Sequence, residues 1–128
     1  MPHKVTLSSP ERAVKSAALA LDKKALNLKI LDIRPLSTIA DYLVLATGTS
    51  DKHVQAIADS VRIGLKKYGK NVDIEGEKAG KWIVIDYKDV IVHIFLEDTR
   101  SHYNLDELWG EAEIMDIPEE YLWETKPQ

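Results

Sequence analysis

Between Trp82 and Trp109 the chain reads WIVIDYKDVIVHIFLEDTRSHYNLDELW, the pattern of two strands joined by a tight turn and followed by a polar crossing and a short helix. Trp82 to Asp86 alternates weakly, while Val90 to Leu96 is almost continuously apolar and rich in Val and Ile, residues that suit a buried, pleated strand. Tyr87-Lys88-Asp89 is short enough to close the two runs into a hairpin, although no Asn-Gly turn pair is present. A polar crossing follows. Asn104 stands three residues before Glu107, which predicts a capped helix ending near Gly110. Asp86, Tyr87, Asp89, His93, Glu97, Asp98, Arg100, His102 and Tyr103 interrupt this stretch with polar and aromatic groups that a plain core does not require. Ordinary surface variety is the competing explanation.

The rest of the chain supplies partners for that hairpin. Ser9-Pro10-Glu11 predicts a helix start with Ser9 as N-cap, and Val14, Ala17, Ala18, Leu21 and Ala25 continue at helical spacing. Leu28 to Ile33 reads as a strand stopped by Pro35. Tyr42 to Thr47 is a second strand, apolar enough to be central, and runs through Gly48-Thr49-Ser50 into a helix. Ser50 is that helix's expected N-cap, Val54, Ile57, Ala58, Val61, Leu65 and Tyr68 form its stripe, and Gly69 its end. Val72 to Glu75 predicts a short third strand. The order is helix, two strands, helix, three strands, helix: an α/β or α+β domain with a mixed five-stranded sheet flanked by helices. The domain is expected to span residues 1–110, with residues 111–128 an acidic extension holding Ile114, Met115, Ile117, Tyr121, Leu122 and Trp123.

The 128 residues carry no cysteine, which removes disulfides, thiolate metal sites and thiol nucleophiles. The N-terminal residues show neither a signal-peptide core nor a transit-peptide composition, and no apolar run is long enough for a membrane span, so a cytoplasmic protein is expected. The net charge of −4 is unevenly distributed. Residues 1–70 carry 12 Lys/Arg against 6 Asp/Glu, and residues 71–128 carry 5 against 15. An acidic C-terminal half is ill suited to a phosphate backbone and favours a basic partner.

Three chemical constellations can be drawn on the sequence. Gly48-Thr49-Ser50 could offer N–H groups to an anion, but neither the P-loop nor the dinucleotide spacing is present. Joined with Asp73, Glu75 and Asp86 it suggests a small metal-dependent nucleotidyltransferase, because residues two apart on a strand present paired carboxylates on one face. The 25-residue step from Gly48 to Asp73, containing a whole helix, is long for such a site. His93 and His102 around Glu97 and Asp98 match no zinc spacing, and Ser50, Asp51 and His53 are too close in sequence to converge as a triad. Trp82 remains. It shares a strand face with Val84 and Asp86, and an aromatic beside acids is the composition of a protein-binding hot spot, although a core Trp at a sheet edge is the plainer reading of the residues alone.

Four motifs in order, TGTSxxHVxAIAD, EG, WxxxDYxDVxVHxF and RxxYxLxxLW, span about residues 10–110 and resemble the Iojap family, the ribosomal silencing factors (RsfS). The resemblance implies a nucleotidyltransferase-like fold without the enzymatic activity, and no cofactor. It also implies binding to the basic large-subunit ribosomal protein fourteen on the face that meets the small subunit. That binding would block subunit joining and repress translation when nutrients are scarce. Family members also act in organellar large-subunit assembly and often form homodimers. Carried over by position, the binding surface centres on Trp82, with Asp86, Tyr87, Asp89 and His93 in the same segment and Tyr103 in the last motif. Lys88 departs from the pattern, since members often place Gly at that turn position.

Overall fold

The computed structural model describes residues 6–69 and 71–119. Its elements are α1 (Ser9–Asp22), β1 (Leu26–Asp32), β2 (Tyr42–Gly48), α2 (Asp51–Leu65), β3 (Asp73–Glu75), β4 (Trp82–Asp86), β5 (Val90–Leu96), α3 (Glu97–Tyr103), α4 (Leu105–Leu108) and β6 (Glu113–Met115), with a 3₁₀ turn at Lys66–Tyr68. The strands form one mixed sheet in the order β3-β4-β5-β2-β1-β6. β2 and β5 are parallel, and every other pair is antiparallel.

The expected mixed sheet flanked by helices is present, with six strands where five were predicted. The addition is β6, which pairs with the outer edge of β1 through Met115 opposite Ile30 and Glu113 opposite Asp32. Three residues carry too little pattern to announce a strand; only the free edge of β1 makes one. Tyr121, Leu122 and Trp123 lie outside the described residues.

Local chemistry accounts for most boundaries. α1 is capped by Ser8, one residue before the expected cap: Ser8 Oγ accepts the Glu11 N–H, and Glu11 Oε1 accepts the Ser8 N–H at 2.9 Å. Its buried face is mostly alanine, which lets α2 approach closely enough for Ser60 Oγ to donate to the Leu19 carbonyl at 2.9 Å. β2 is buried along its whole length, as its composition predicted. Gly48 ends it because the backbone of α2 crosses there: a Cβ would lie 2.8 Å from Val54 Cγ2 and 2.9 Å from Val54 N. Ser50 caps α2 and Gly69 closes the 3₁₀ turn in the left-handed region, both as expected.

The β4–β5 hairpin has the predicted limits. Its turn places Lys88 at φ 76°, a conformation that suits glycine, and Asp86 Oδ1 supports it by accepting the Lys88 N–H at 2.8 Å. The polar crossing after β5 is not a loop but α3. Glu97 and Asp98 open it and Arg100 and His102 close it, the charge order that complements a helix dipole. Asn104 is therefore the left-handed C-cap of α3. Its amide donates to the Glu107 carboxylate at 2.6 Å without capping the backbone of α4.

Candidate functional site

The sheet has two unlike faces. Ile30, Val44, Ala46, Ile83, Ile85, Val92 and Ile94 point toward α1 and α2 and form the larger core. Leu31, Leu43, Leu45 and Phe95 point the other way, joined by half-buried Trp82, Ile91, Leu105 and Trp109. Among the described residues no long helix covers this second face; only the short α3 and α4 lie against it.

Strand register assembles a cluster at the open part of this face. Trp82 stands opposite Phe95, Val84 opposite His93, and Asp86 opposite Ile91. Alternation then puts Trp82, Val84 and Asp86 on one side while Ile83 and Ile85 are buried on the other, as the strand period requires. The Trp82 ring lies 5.7 Å from Phe95, 5.8 Å from His93 and 4.7 Å from Tyr103, centroid to centroid. Trp82 Nε1–H donates to His93 Nδ1 at 3.0 Å. Tyr103 comes from the end of α3 and is 56% exposed, so the outermost ring of the cluster faces solvent. At its edge β3 brings Asp73 opposite Asp86 and Glu75 opposite Val84, which makes that border acidic.

A buried arginine holds Tyr103 there. Arg100 is 6% exposed and clamps Asp106 with two bonds, Nε to Oδ2 at 2.9 Å and Nη2 to Oδ1 at 2.8 Å. Its Nη1 donates to the Asn27 carbonyl at 2.6 Å and to Thr47 Oγ1 at 2.9 Å. The side chain thus binds α3 and α4 to β1 and β2. Asp106 also meets Lys29 Nζ at 2.9 Å, and Arg100 and Lys29 together hold its carboxyl well below the usual carboxylate range.

Of the six residues singled out on the sequence, the structure joins Trp82, His93 and Tyr103 directly and leaves Asp86 at their acidic edge. Tyr87 and Asp89 are separated from them. Tyr87 is 3% exposed among the helix-side core residues, with the Arg12 guanidinium 5.6 Å from its ring centre. Burial pushes its hydroxyl up to about 12. It offers no surface to a partner. Asp89 accepts Arg12 Nε at 3.0 and 3.2 Å, and its carbonyl accepts the N–H groups of Asp41 and Tyr42. These contacts commit it to tying the turn to α1 and β2. The cause is the turn itself: after Asp86 the chain swings toward the helices, a reversal that strand alternation does not describe.

The other constellations have local explanations. Thr49 N–H donates to His53 Nδ1 at 2.8 Å, and His53 Nε2 bonds the Lys23 carbonyl at 2.7 Å, so the Gly48-Thr49-Ser50 loop is tethered to the end of α1 through His53. Asp73, Glu75 and Asp86 do share a face, but Lys88 Nζ lies 2.8 Å from Asp73 and 4.0 Å from Asp86. Among the described residues no three acidic or imidazole groups converge as a metal cage. None of their helices is long and apolar enough to cross a membrane.

His93 makes the site sensitive to acid. Burial holds its imidazole down at about 4 against an ordinary 6.5, with Asp86 pulling weakly the other way. Between those values the unfolded chain binds the proton and the folded chain does not. Stability present at pH 7 therefore falls as the pH drops below about 6.5, by about 2 kcal/mol at pH 5. Urea titrations at pH 7 and pH 5 are expected to show this loss, and His93→Gln to remove most of it.

The family model described as "Ribosomal silencing factor during starvation" matches residues 6–128. The ribosomal silencing factor RsfS of Bacillus subtilis is 41% identical over 103 residues, covering 80% of this chain and 87% of that one. A mouse protein named for mitochondrial assembly of the ribosomal large subunit is 28% identical over 116 residues, 87% of this chain and 50% of its own. A crystal structure of a Chromobacterium violaceum protein superposes with a TM-score of 0.79 at 29% identity, covering 88% of this chain and 93% of that one. With a family model matched over residues 6–128 and a relative 41% identical over 103 residues, the chain belongs to the ribosomal silencing factor (RsfS) family.

Proposed function

We propose that this protein binds the large ribosomal subunit through its basic ribosomal protein fourteen, blocks association with the small subunit and so represses translation under nutrient limitation. The observation that carries the reading is the open sheet face: Trp82, His93 and Tyr103 packed over the buried Phe95 and bordered by Asp73, Glu75 and Asp86. A fold that needed the cluster only for packing would cover it. Aromatic anchors inside a charged rim suit a protein surface rich in Lys and Arg, with the rim carboxylates orienting the encounter. The action requires no bond chemistry, since a body seated on the joining face excludes the small subunit by bulk.

Sedimentation of the purified chain with separated subunits is the direct test. Comigration with the large subunit and a reduced yield of joined ribosomes are expected. Comigration with normal joining would instead favour large-subunit assembly, the role named for the mouse relative. Failure to comigrate at low or moderate salt would remove both readings.

A further inference from the structure

We propose that Trp82 acts on His93 as a positioning residue, fixing it as the Nε2–H tautomer so that the face presents a neutral hydrogen-bond donor to a partner's backbone carbonyl oxygen. This rests on the proposed docking role of the face. An indole N–H can only donate, so His93 Nδ1, 3.0 Å away, must hold a lone pair, and the ring proton must sit on Nε2. No described residue bonds Nε2, and His93 is half-buried, leaving that edge of the ring available. The near neighbours are the rings of Trp82 and Phe95 and the cross-strand Val84, and Asp86, which acts on the ring through its charge, makes no hydrogen bond to it. A donor framed by apolar surface gains strength when a partner excludes water, and an unmet one is penalised. It thus selects a partner that places an acceptor there. A basic partner would bring its lysines and arginines to the Asp73–Glu75–Asp86 border, leaving His93 an uncharged oxygen acceptor, of which main-chain carbonyls are the most numerous on any protein surface.

Two substitutions separate the ring's inner and outer nitrogens. Asparagine reaches the Nδ1 position and can still accept from Trp82, but it has no outward donor. Glutamine reaches the Nε2 position and restores the outward N–H. His93→Asn is expected to weaken cosedimentation with large subunits about tenfold, the effect of one lost hydrogen bond at a dry contact, while His93→Gln recovers a measurable part of that loss. Circular dichroism and melting curves show whether each variant is folded. In parallel, ¹⁵N-histidine spectra of the free protein at pH 7.5 are expected to show His93 protonated on Nε2 alone, and Trp82→Phe to release it into a mixture of tautomers. Folded His93→Asn binding as well as wild type, or a wild-type ring protonated on Nδ1, overturns the proposal. If the wild-type chain does not sediment with large subunits, the docking role fails and the carbonyl assignment with it. That failure is distinguishable, because the failure of this inference alone leaves wild-type binding intact.

Discussion

Replacing Arg100 with methionine is expected to cost about 3–5 kcal/mol of folding stability, the range for breaking a buried ion pair from one side. Methionine keeps much of the apolar stem and none of the five donors. The buried Thr47 hydroxyl loses its partner, the carbonyl of exposed Asn27 loses a charged donor, and Asp106 retains only Lys29. The bidentate geometry matters as much as the charge, so Arg100→Lys is expected to fall between wild type and methionine. Because Arg100 binds α3 and α4 to the sheet, the loss should be visible at Tyr103 and Trp82 before the whole fold gives way. Urea titrations followed by tryptophan fluorescence would show an early red shift in Arg100→Met, followed by the global transition at a lowered midpoint. An unchanged midpoint would mean the guanidinium is dispensable. Asp106 adds a pH signature: its folded carboxyl is depressed, so its contribution is complete above the unfolded value near 4 and disappears as the pH falls through the lower folded one.

That residue also marks where the sequence stops being legible. Arg100 is one of several charged groups after β5, and arginine is an exposed residue by default; its burial follows from a pairing with residues far away in sequence at Asn27 and Thr47. α3 was readable in principle, because its acids come first and its bases last, but its apolar contacts are too few to give a periodic stripe. The β4–β5 hairpin and the cap of α2 were legible because period-two alternation and an N-cap serine act within a few residues. Trp82 shows the intermediate case. Alternation placed it on the face of Asp86, yet only the register opposite Phe95 and the arrival of α3 brought His93 and Tyr103 to it. Tyr87 and Asp89 share its motif in sequence and not its surface. Adjacent positions at a turn diverge in space, so a motif there mixes docking groups with groups that only support the fold.

Trp82→Ala should therefore be read with two measurements together. On the ribosome it is expected to lose about 2 kcal/mol or more of binding, roughly thirtyfold, as truncation of an aromatic anchor does. In the free protein the same change removes the ring between Phe95 and Tyr103 and leaves His93 Nδ1 without its donor, so a lower midpoint of unfolding, by about 2–3 kcal/mol, is expected as well. A folded fraction near one at the assay temperature keeps the two effects apart. Asp86→Asn gives the independent arm, because the amide oxygen can still accept the Lys88 N–H and the change removes only the charge at the edge of the cluster. Its defect should be a slower association and a weaker dependence of binding on salt, the mark of a rim charge, where Trp82→Ala should act on dissociation. Should both variants sediment with large subunits as wild type does, the open face would not be the docking surface, even with the family assignment intact. A loss in Trp82→Ala alone would keep the aromatic anchor and discard the acidic rim.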